Sequence, residues 1–176
     1  MTTPQLSRPE RIAVARLHAL LELLPRVLDQ QLSGVGLTWF EFTVLESLHE
    51  APDNRLRLSA LAASTNATLP RLSRVVTGLE KRGLVVRVAC TQDGRATNAV
   101  LTAQGAEAYR AAVPTYVDSI RSHVLAGFDD DGVGDLSRMT LTILAQLDPN
   151  GHLAVTAETT CAADPAPVGQ CAADPV

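Results

Sequence analysis

Residues 68–82 combine short hydroxyl side chains with long cationic ones on one side of a predicted helix. The set comprises Thr68, Arg71, Ser73, Arg74, Thr77 and Lys81. A guanidinium can bond to O6 and N7 of one guanine, and a hydroxyl can bond to a phosphate or a base edge. The helix N-terminus adds a partial positive charge. These groups predict a surface that binds nucleic acid, although taken alone they also fit an amphipathic helix with a solvated polar face.

The other side of the same segment is apolar and predicts a face buried in a core. Its residues are Leu69, Leu72, Val75, Val76 and Leu79. Pro70 is tolerated near a helix start, and Gly83 is a suitable residue just past the end. Gly78 weakens the helix by about 1 kcal/mol relative to Ala, and it would allow close approach of DNA or of a neighbouring helix.

The distribution of charge favours the nucleic-acid interpretation. The whole chain of 176 residues has a net charge of −4, which by itself argues against an anionic partner. Between Arg55 and Asn98, however, eight basic residues face two acidic ones, so the remainder is strongly acidic. A basic region within an acidic chain is typical of a DNA-binding face.

Flanking patterns predict the elements that position this helix. Helices are expected at 9–33, 38–50, 58–64, 68–82, 102–128 and 135–147, and extended segments at 55–58, 84–90 and 97–101. Thr38 and Glu41 form a capping box, and Thr68 should cap the helix at 68–82. Pro25 and Pro114 should bend their helices. This order predicts a mostly α (α+β) fold, a winged helix-turn-helix with additional N- and C-terminal helices.

Residues 69–105 resemble the MarR family of bacterial regulators. The matching motifs, in order, are Leu79-Glu80-Lys81-Arg82-Gly83-Leu84, Arg87, Asp93-Gly94-Arg95 and Leu101-Thr102-Ala103-Gln104-Gly105. The resemblance implies a homodimer formed by helices 9–33 and 103–147, with a winged helix-turn-helix at 38–102 that binds a palindromic double-stranded DNA operator. It also implies that Arg95 enters the minor groove and that Asp93 orients it, although Asp93 equally fits a turn residue that bonds to its own backbone.

The same resemblance implies release from DNA by a small aromatic or phenolic ligand where the dimer helices meet the DNA-binding module. Candidate residues are His18, Trp39 and Phe42. Trp39 and Phe42 also fit core anchors that follow a helix cap. The expected function is therefore a dimeric transcriptional regulator, in particular a ligand-released repressor, and the alternative is a winged helix retained as a protein-interaction module.

Other classes of protein receive no support from the sequence. The three cysteines form no C-x-x-C pair and the four histidines are scattered, so neither a metal site nor a cofactor is predicted. No catalytic pairing suggests an enzyme, and no apolar stretch is long enough to span a membrane. A cytoplasmic protein is expected. Residues 149–176, which repeat Cys-Ala-Ala-Asp-Pro, are expected to form a disordered tail, and Cys90 is expected to be a passive packing residue.

Overall fold

The structure, a computed structural model, describes residues 5–89 and 96–148. Its helices are α1 (Arg8–Ser33), α2 (Trp39–Glu50), α3 (Leu58–Ser64), α4 (Leu69–Lys81), α5 (Ala103–Ile120) and α6 (Asp130–Leu147). Its strands are β1 (Arg55–Arg57), β2 (Val85–Ala89) and β3 (Thr97–Leu101). The predicted winged helix-turn-helix order is confirmed. No helix among the described residues is long and apolar enough to cross a membrane.

The three strands form one antiparallel sheet in the order β1-β3-β2. Val100 of β3 pairs with Arg55 of β1 and with Val86 of β2, so β3 is central. Alternation places Val85 and Ala99 in the core, whereas Val86 is exposed on the other face. The sheet therefore covers one side of the helical core. The motif Asp93-Gly94-Arg95 and Cys90, which was expected to be a packing residue, lie outside the described residues.

The core joins α2 to α3, α4 and the inner face of the sheet. Its largest fully buried side chains include Phe42, Leu45, Leu48, Leu61, Leu72, Val76 and Leu79. The predicted capping box of α2 is confirmed: the Glu41 N–H donates to Thr38 Oγ1 over 3.2 Å, and the Thr38 N–H donates to Glu41 Oε2 over 2.9 Å. These bonds fix where α2 begins, and hence which of its residues enter the core.

The predicted bounds of α4 are confirmed within one residue at each end. Gly83 follows the helix with φ 72°, a conformation that glycine adopts without strain. Thr68 occupies the N-cap position, but its hydroxyl makes no capping hydrogen bond, so the expected side-chain cap is wrong.

Gly105, in the first turn of α5, lies directly against the residue that precedes β2. The Thr102 hydroxyl accepts from the Gly105 N–H over 2.9 Å and donates to the Gly83 carbonyl over 2.7 Å. A Cβ at position 105 would collide with the carbonyl oxygen of Leu84. This close approach is the physical reason for the Leu-Thr-x-x-Gly motif, because only glycine fits there.

The C-terminal helices differ from the sequence prediction. Instead of one helix to residue 128, α5 ends at Ile120 and a π-helical turn follows at Arg121–Leu125. The break expected at 129–134 is wrong, because α6 already begins at Asp130. Asp129 caps it by accepting from the Gly132 N–H over 2.9 Å, and acidic residues in a first turn favour the helix dipole. Both Pro25 and Pro114 lie inside continuous helices.

Candidate nucleic-acid interface

The surface of helix α4 lies in three environments: the hydrophobic core, the contact with β2, and solvent. Leu72, Val76 and Leu79 are fully buried and anchor the helix in the core. A second edge faces β2, and the outer side is exposed to solvent. The predicted site residues are distributed over the last two environments, which gives them different chemical roles.

The outer side of α4 carries cations. Arg71, Arg74 and Lys81 are exposed there, as are Thr68 and Pro70 at the start of the helix. Within the described ranges, neither Arg74 nor Lys81 forms an ion pair or a side-chain hydrogen bond. The Cζ atom of Arg71 lies 4.3 Å from the ring centroid of Phe40, a cation–π contact with α2. This side therefore presents charge that no described carboxylate neutralises.

The edge of α4 that faces the sheet is occupied by Arg87 of β2. Its guanidinium donates to Glu80 Oε2 over 2.6 Å, to the Ser73 carbonyl over 2.8 Å and to Thr77 Oγ1 over 3.0 Å. The Arg87 N–H also donates to Glu80 Oε1 over 3.2 Å. We call Ser73, Thr77, Glu80 and Arg87 the strand clamp. Ser73 and Thr77 were expected on the outer face, but their hydroxyls accept from Arg87 over 3.3 and 3.0 Å, because their position on the helix turns them toward β2.

Leu69 departs from its expected place, and Arg82, just past the end of α4, makes contacts that the sequence did not predict. Leu69 was predicted in the core but is 49% exposed, because it lies in the first turn beyond the edge of the packed interior. Arg82 folds back to α2: it donates to Glu41 Oε1 over 3.1 Å and to the Gly36 carbonyl over 2.6 Å. The Arg82 charge is thus neutralised within the domain, and its side chain ties the end of α4 to the start of α2.

The wing-tip candidates Asp93 and Arg95 lie outside the described residues. The candidate ligand residues lie within them. Phe42 is fully buried and stacks on Tyr116 with ring centroids 4.3 Å apart. Trp39 is half-buried, and its backbone N–H donates to Asp29 Oδ1 over 2.7 Å, which joins α2 to α1. His18 is exposed on α1, and no ring contact or hydrogen bond among the described residues joins it to Trp39 or Phe42.

Sequence reasoning missed a group of titratable residues between α2 and α5. Burial raises the pKa of the half-buried Glu46, and the neighbouring Glu50 adds to this, whereas a hydrogen bond with Tyr109 opposes it. The pKa of the Tyr109 phenol is also raised, chiefly by burial and by the charge of Glu46. The spacing of Glu46 and Glu50 places like charges on one side of α2, but only the packing of α5 reveals that this side is partly enclosed.

Comparison with known proteins identifies a family whose members share this fold. The MarR family model matches residues 37–97. AbsC, a MarR family transcriptional regulator from Streptomyces coelicolor, is 31% identical over 84% of this chain and 100% of its own, with a TM-score of 0.79. Sco3205 from the same organism, a MarR family transcriptional regulator solved in complex with DNA, is 31% identical over 85% of this chain and 97% of its own, with a TM-score of 0.80.

A third structure shares the fold at lower identity. It is an organohalide-sensing transcriptional regulator in its 2,4-dichlorophenol-bound form, 17% identical over 86% of this chain and 90% of its own, with a TM-score of 0.70.

Proposed function

The chain belongs to the MarR family of transcriptional regulators, and on that premise we propose that it is a homodimer that binds a palindromic DNA operator and represses nearby genes. The observation that carries the proposal is that some basic side chains on and around α4 are paired with carboxylates, whereas others are exposed and unpaired among the described residues. Arg82 and Arg87 are neutralised inside the domain, whereas Arg71, Arg74 and Lys81 are exposed and have no carboxylate partner among the described residues.

In this proposal α4 enters the major groove with its outer side against the bases and phosphates. Arg71, Arg74 and Lys81 supply the charge, and Thr68 supplies a hydroxyl at the helix N-terminus. Ser73 and Thr77 contribute indirectly, because within the strand clamp they hold Arg87 of β2. Following the family resemblance, Arg95 enters the minor groove and Asp93 orients it. A protein-interaction module would need no such set of exposed cations, so we favour DNA.

The helices outside the winged module support a dimer. No residue of α6 is buried, yet this helix exposes Val133, Met139, Ile143 and Leu147. Helix α1 likewise exposes Ile12, Val14, Leu20, Leu21 and Leu23. Two unpartnered apolar helix faces on one chain favour burial against a second copy. Residues 9–33 and 103–147 would then form the dimerisation frame of a unit that spans residues 9–147.

We also propose that a small aromatic or phenolic ligand releases the protein from DNA, and that this occurs in the cytoplasm without a cofactor. The dichlorophenol-bound regulator of similar fold supports a ligand of this class. Trp39 and His18 are the residues to test first, because both are at least partly accessible. Phe42 is fully buried, so in this proposal it would support the ligand from the core rather than contact it directly.

The test is DNA binding by the full chain at several salt concentrations. We expect the logarithm of the binding constant to fall linearly with the logarithm of salt, with a slope of about −0.9 for each neutralised phosphate. Arg74→Ala and Lys81→Ala should each weaken binding and make this slope shallower. The matched control is Arg8→Ala, since Arg8 carries the same charge, is exposed, and lies outside both α4 and the residues proposed to form the dimer.

Two results would contradict the proposal. Affinity that does not change with salt would remove the role of the exposed cations. A footprint that covers a single asymmetric site, rather than half-sites about 10 bp apart, would argue against a symmetric dimer.

A further inference from the structure

We propose that Phe40 of α2 positions the Arg71 guanidinium to read a guanine, so that a residue outside α4, the reading helix, sets base specificity. The inference rests on the proposed DNA-binding function and identifies one of its specificity determinants. It follows from the contact between these two side chains, in which Arg71 Cζ lies 4.3 Å from the ring centroid of Phe40.

The Phe40 ring is a fixed platform. It is half-buried and packs against the hydrophobic core, so its own motion is restricted. The residues on both sides are anchored as well. The Glu41 carboxylate caps α2 and pairs with Arg82, and the backbone N–H of Trp39 donates to the Asp29 carboxylate. Arg71 therefore lies on a surface that is held in place before any DNA arrives.

The contact leaves the hydrogen-bonding edge of Arg71 unused. Arg71 Cζ lies over the Phe40 ring, and a guanidinium that stacks on the ring with its face would keep its five N–H donors, which lie in the plane of the group, available to another partner. Within the part of the chain that the structure describes, Arg71 forms no ion pair and no hydrogen bond. Its donors are available for O6 and N7 of guanine, the pair of acceptors that a fork matches.

Arg74 provides an internal comparison. It is exposed on the same side of α4, one turn further along, but no aromatic ring stacks on it among the described residues. Arg71 loses less side-chain freedom on binding a base, because its guanidinium is already held. A cation–π contact at an exposed site biases Arg71 toward the held rotamer by about two- to fivefold, and its loss weakens binding at each half-site by at most that factor.

The experiment uses the full-length chain and a duplex that the wild-type protein selects from a random-sequence library. Each guanine of the selected duplex is replaced singly by 7-deazaguanine, which lacks the N7 acceptor. We expect Arg71→Ala and Arg71→Lys to abolish the discrimination at one guanine of each half-site, because Lys keeps the charge but not the fork. Phe40→Leu should weaken binding by at most about two- to fivefold for each half-site and reduce discrimination at that same guanine.

Phe40→Trp, which keeps an aromatic face, should retain both affinity and discrimination. In an R71A background, F40L should not weaken DNA binding any further. In an R74A background, the loss of affinity caused by F40L should add to the loss caused by R74A. Together with R71K, F40W keeps the test decisive even if F40L lowers the stability of the domain.

The inference is overturned if F40L costs as much in the R71A background as in the wild type, if F40W is as damaging as F40L, or if R71K keeps full discrimination. The last result would make Arg71 a phosphate contact. Each of these three outcomes would overturn the role of Phe40 while leaving the proposed operator binding unaffected. A wild-type chain that binds no duplex would instead overturn the proposed function, and this inference with it.

Discussion

Gly78 and Gly105 are both helical glycines, but an added methyl group would meet different surroundings at each. No described atom lies within 4 Å of a Cβ built at Gly78, whereas a Cβ at Gly105 meets Leu84 and Leu101. We expect Gly78→Ala to raise the free energy of unfolding by about 0.5–1 kcal/mol, because Ala favours helix. Gly105→Ala should lower it by about 1–3 kcal/mol through overpacking. Urea denaturation measures both changes.

Each variant is the control for the other, since the chemical change is the same. Equal effects on stability would contradict the packing described for Gly105. DNA binding by the stabilised G78A variant then resolves what glycine does at this position: a loss of affinity indicates close approach of DNA, and unchanged affinity indicates that no such approach occurs.

The sequence does not separate the cations that bind within the domain from those that remain exposed. Arg71, Arg74, Arg82 and Arg87 are equally basic residues of one region. Arg82 is neutralised by Glu41, which lies far from it in sequence, and Arg87 by Glu80 across a strand–helix contact. Such pairings depend on tertiary packing, so helical periodicity alone placed Ser73 and Thr77 on the outer face.

At the scale of elements, the strand clamp joins β2 to α4. Because the two parts of the winged module are held in one arrangement by Arg87, we expect Arg87→Ala to lower the free energy of unfolding by about 1–2 kcal/mol. Arg87→Lys should lower the free energy of unfolding by less than Arg87→Ala does, because a single ammonium keeps the charge but cannot make all these hydrogen bonds. Arg8→Ala, which removes an exposed cation outside the residues proposed to form the dimer, should cost less than about 0.5 kcal/mol. Indistinguishable unfolding midpoints for R87A and R8A would contradict the clamp.

Elements with strong local patterns could be predicted closely. The bounds of α3 and β3 match, and the capping box fixed the start of α2. The errors occurred where a local rule met a competing interaction. Gly132 and Gly134 suggested a break, but the Asp129 cap and the acidic first turn start α6 before them. Leu69 fits the apolar periodicity, yet the core does not extend as far as the first turn of α4.

For the whole molecule, the apolar sides of α1 and α6 lead to a prediction about assembly. Leu21→Glu or Ile143→Glu would place a carboxylate on a face that we propose is buried in the dimer, where an unpaired charge is costly. We expect sedimentation to show a monomer for either variant and DNA affinity to fall, because the two reading helices are no longer linked.

Val86→Glu is the matched control for these substitutions. Val86 is also exposed, at 41%, but it lies on the outer face of the sheet rather than on a dimerisation helix. This variant should sediment as the wild type does. Sedimentation of L21E and I143E as wild type, or a wild-type monomer, would contradict the assembly proposed for these helices.

The central place of β3 also determines when during synthesis the protein can become active. β3 pairs with β1, which precedes α3 and α4, and with β2, which follows them. When β3 pairs with β1, it closes a loop of chain that includes α3, α4 and β2. Closing this loop costs conformational entropy, and that cost is met before the three strands stabilise one another. We therefore expect that a nascent chain cannot assemble the sheet beside α4 until residue 101 has left the ribosome, so that DNA-binding competence cannot precede the emergence of β3.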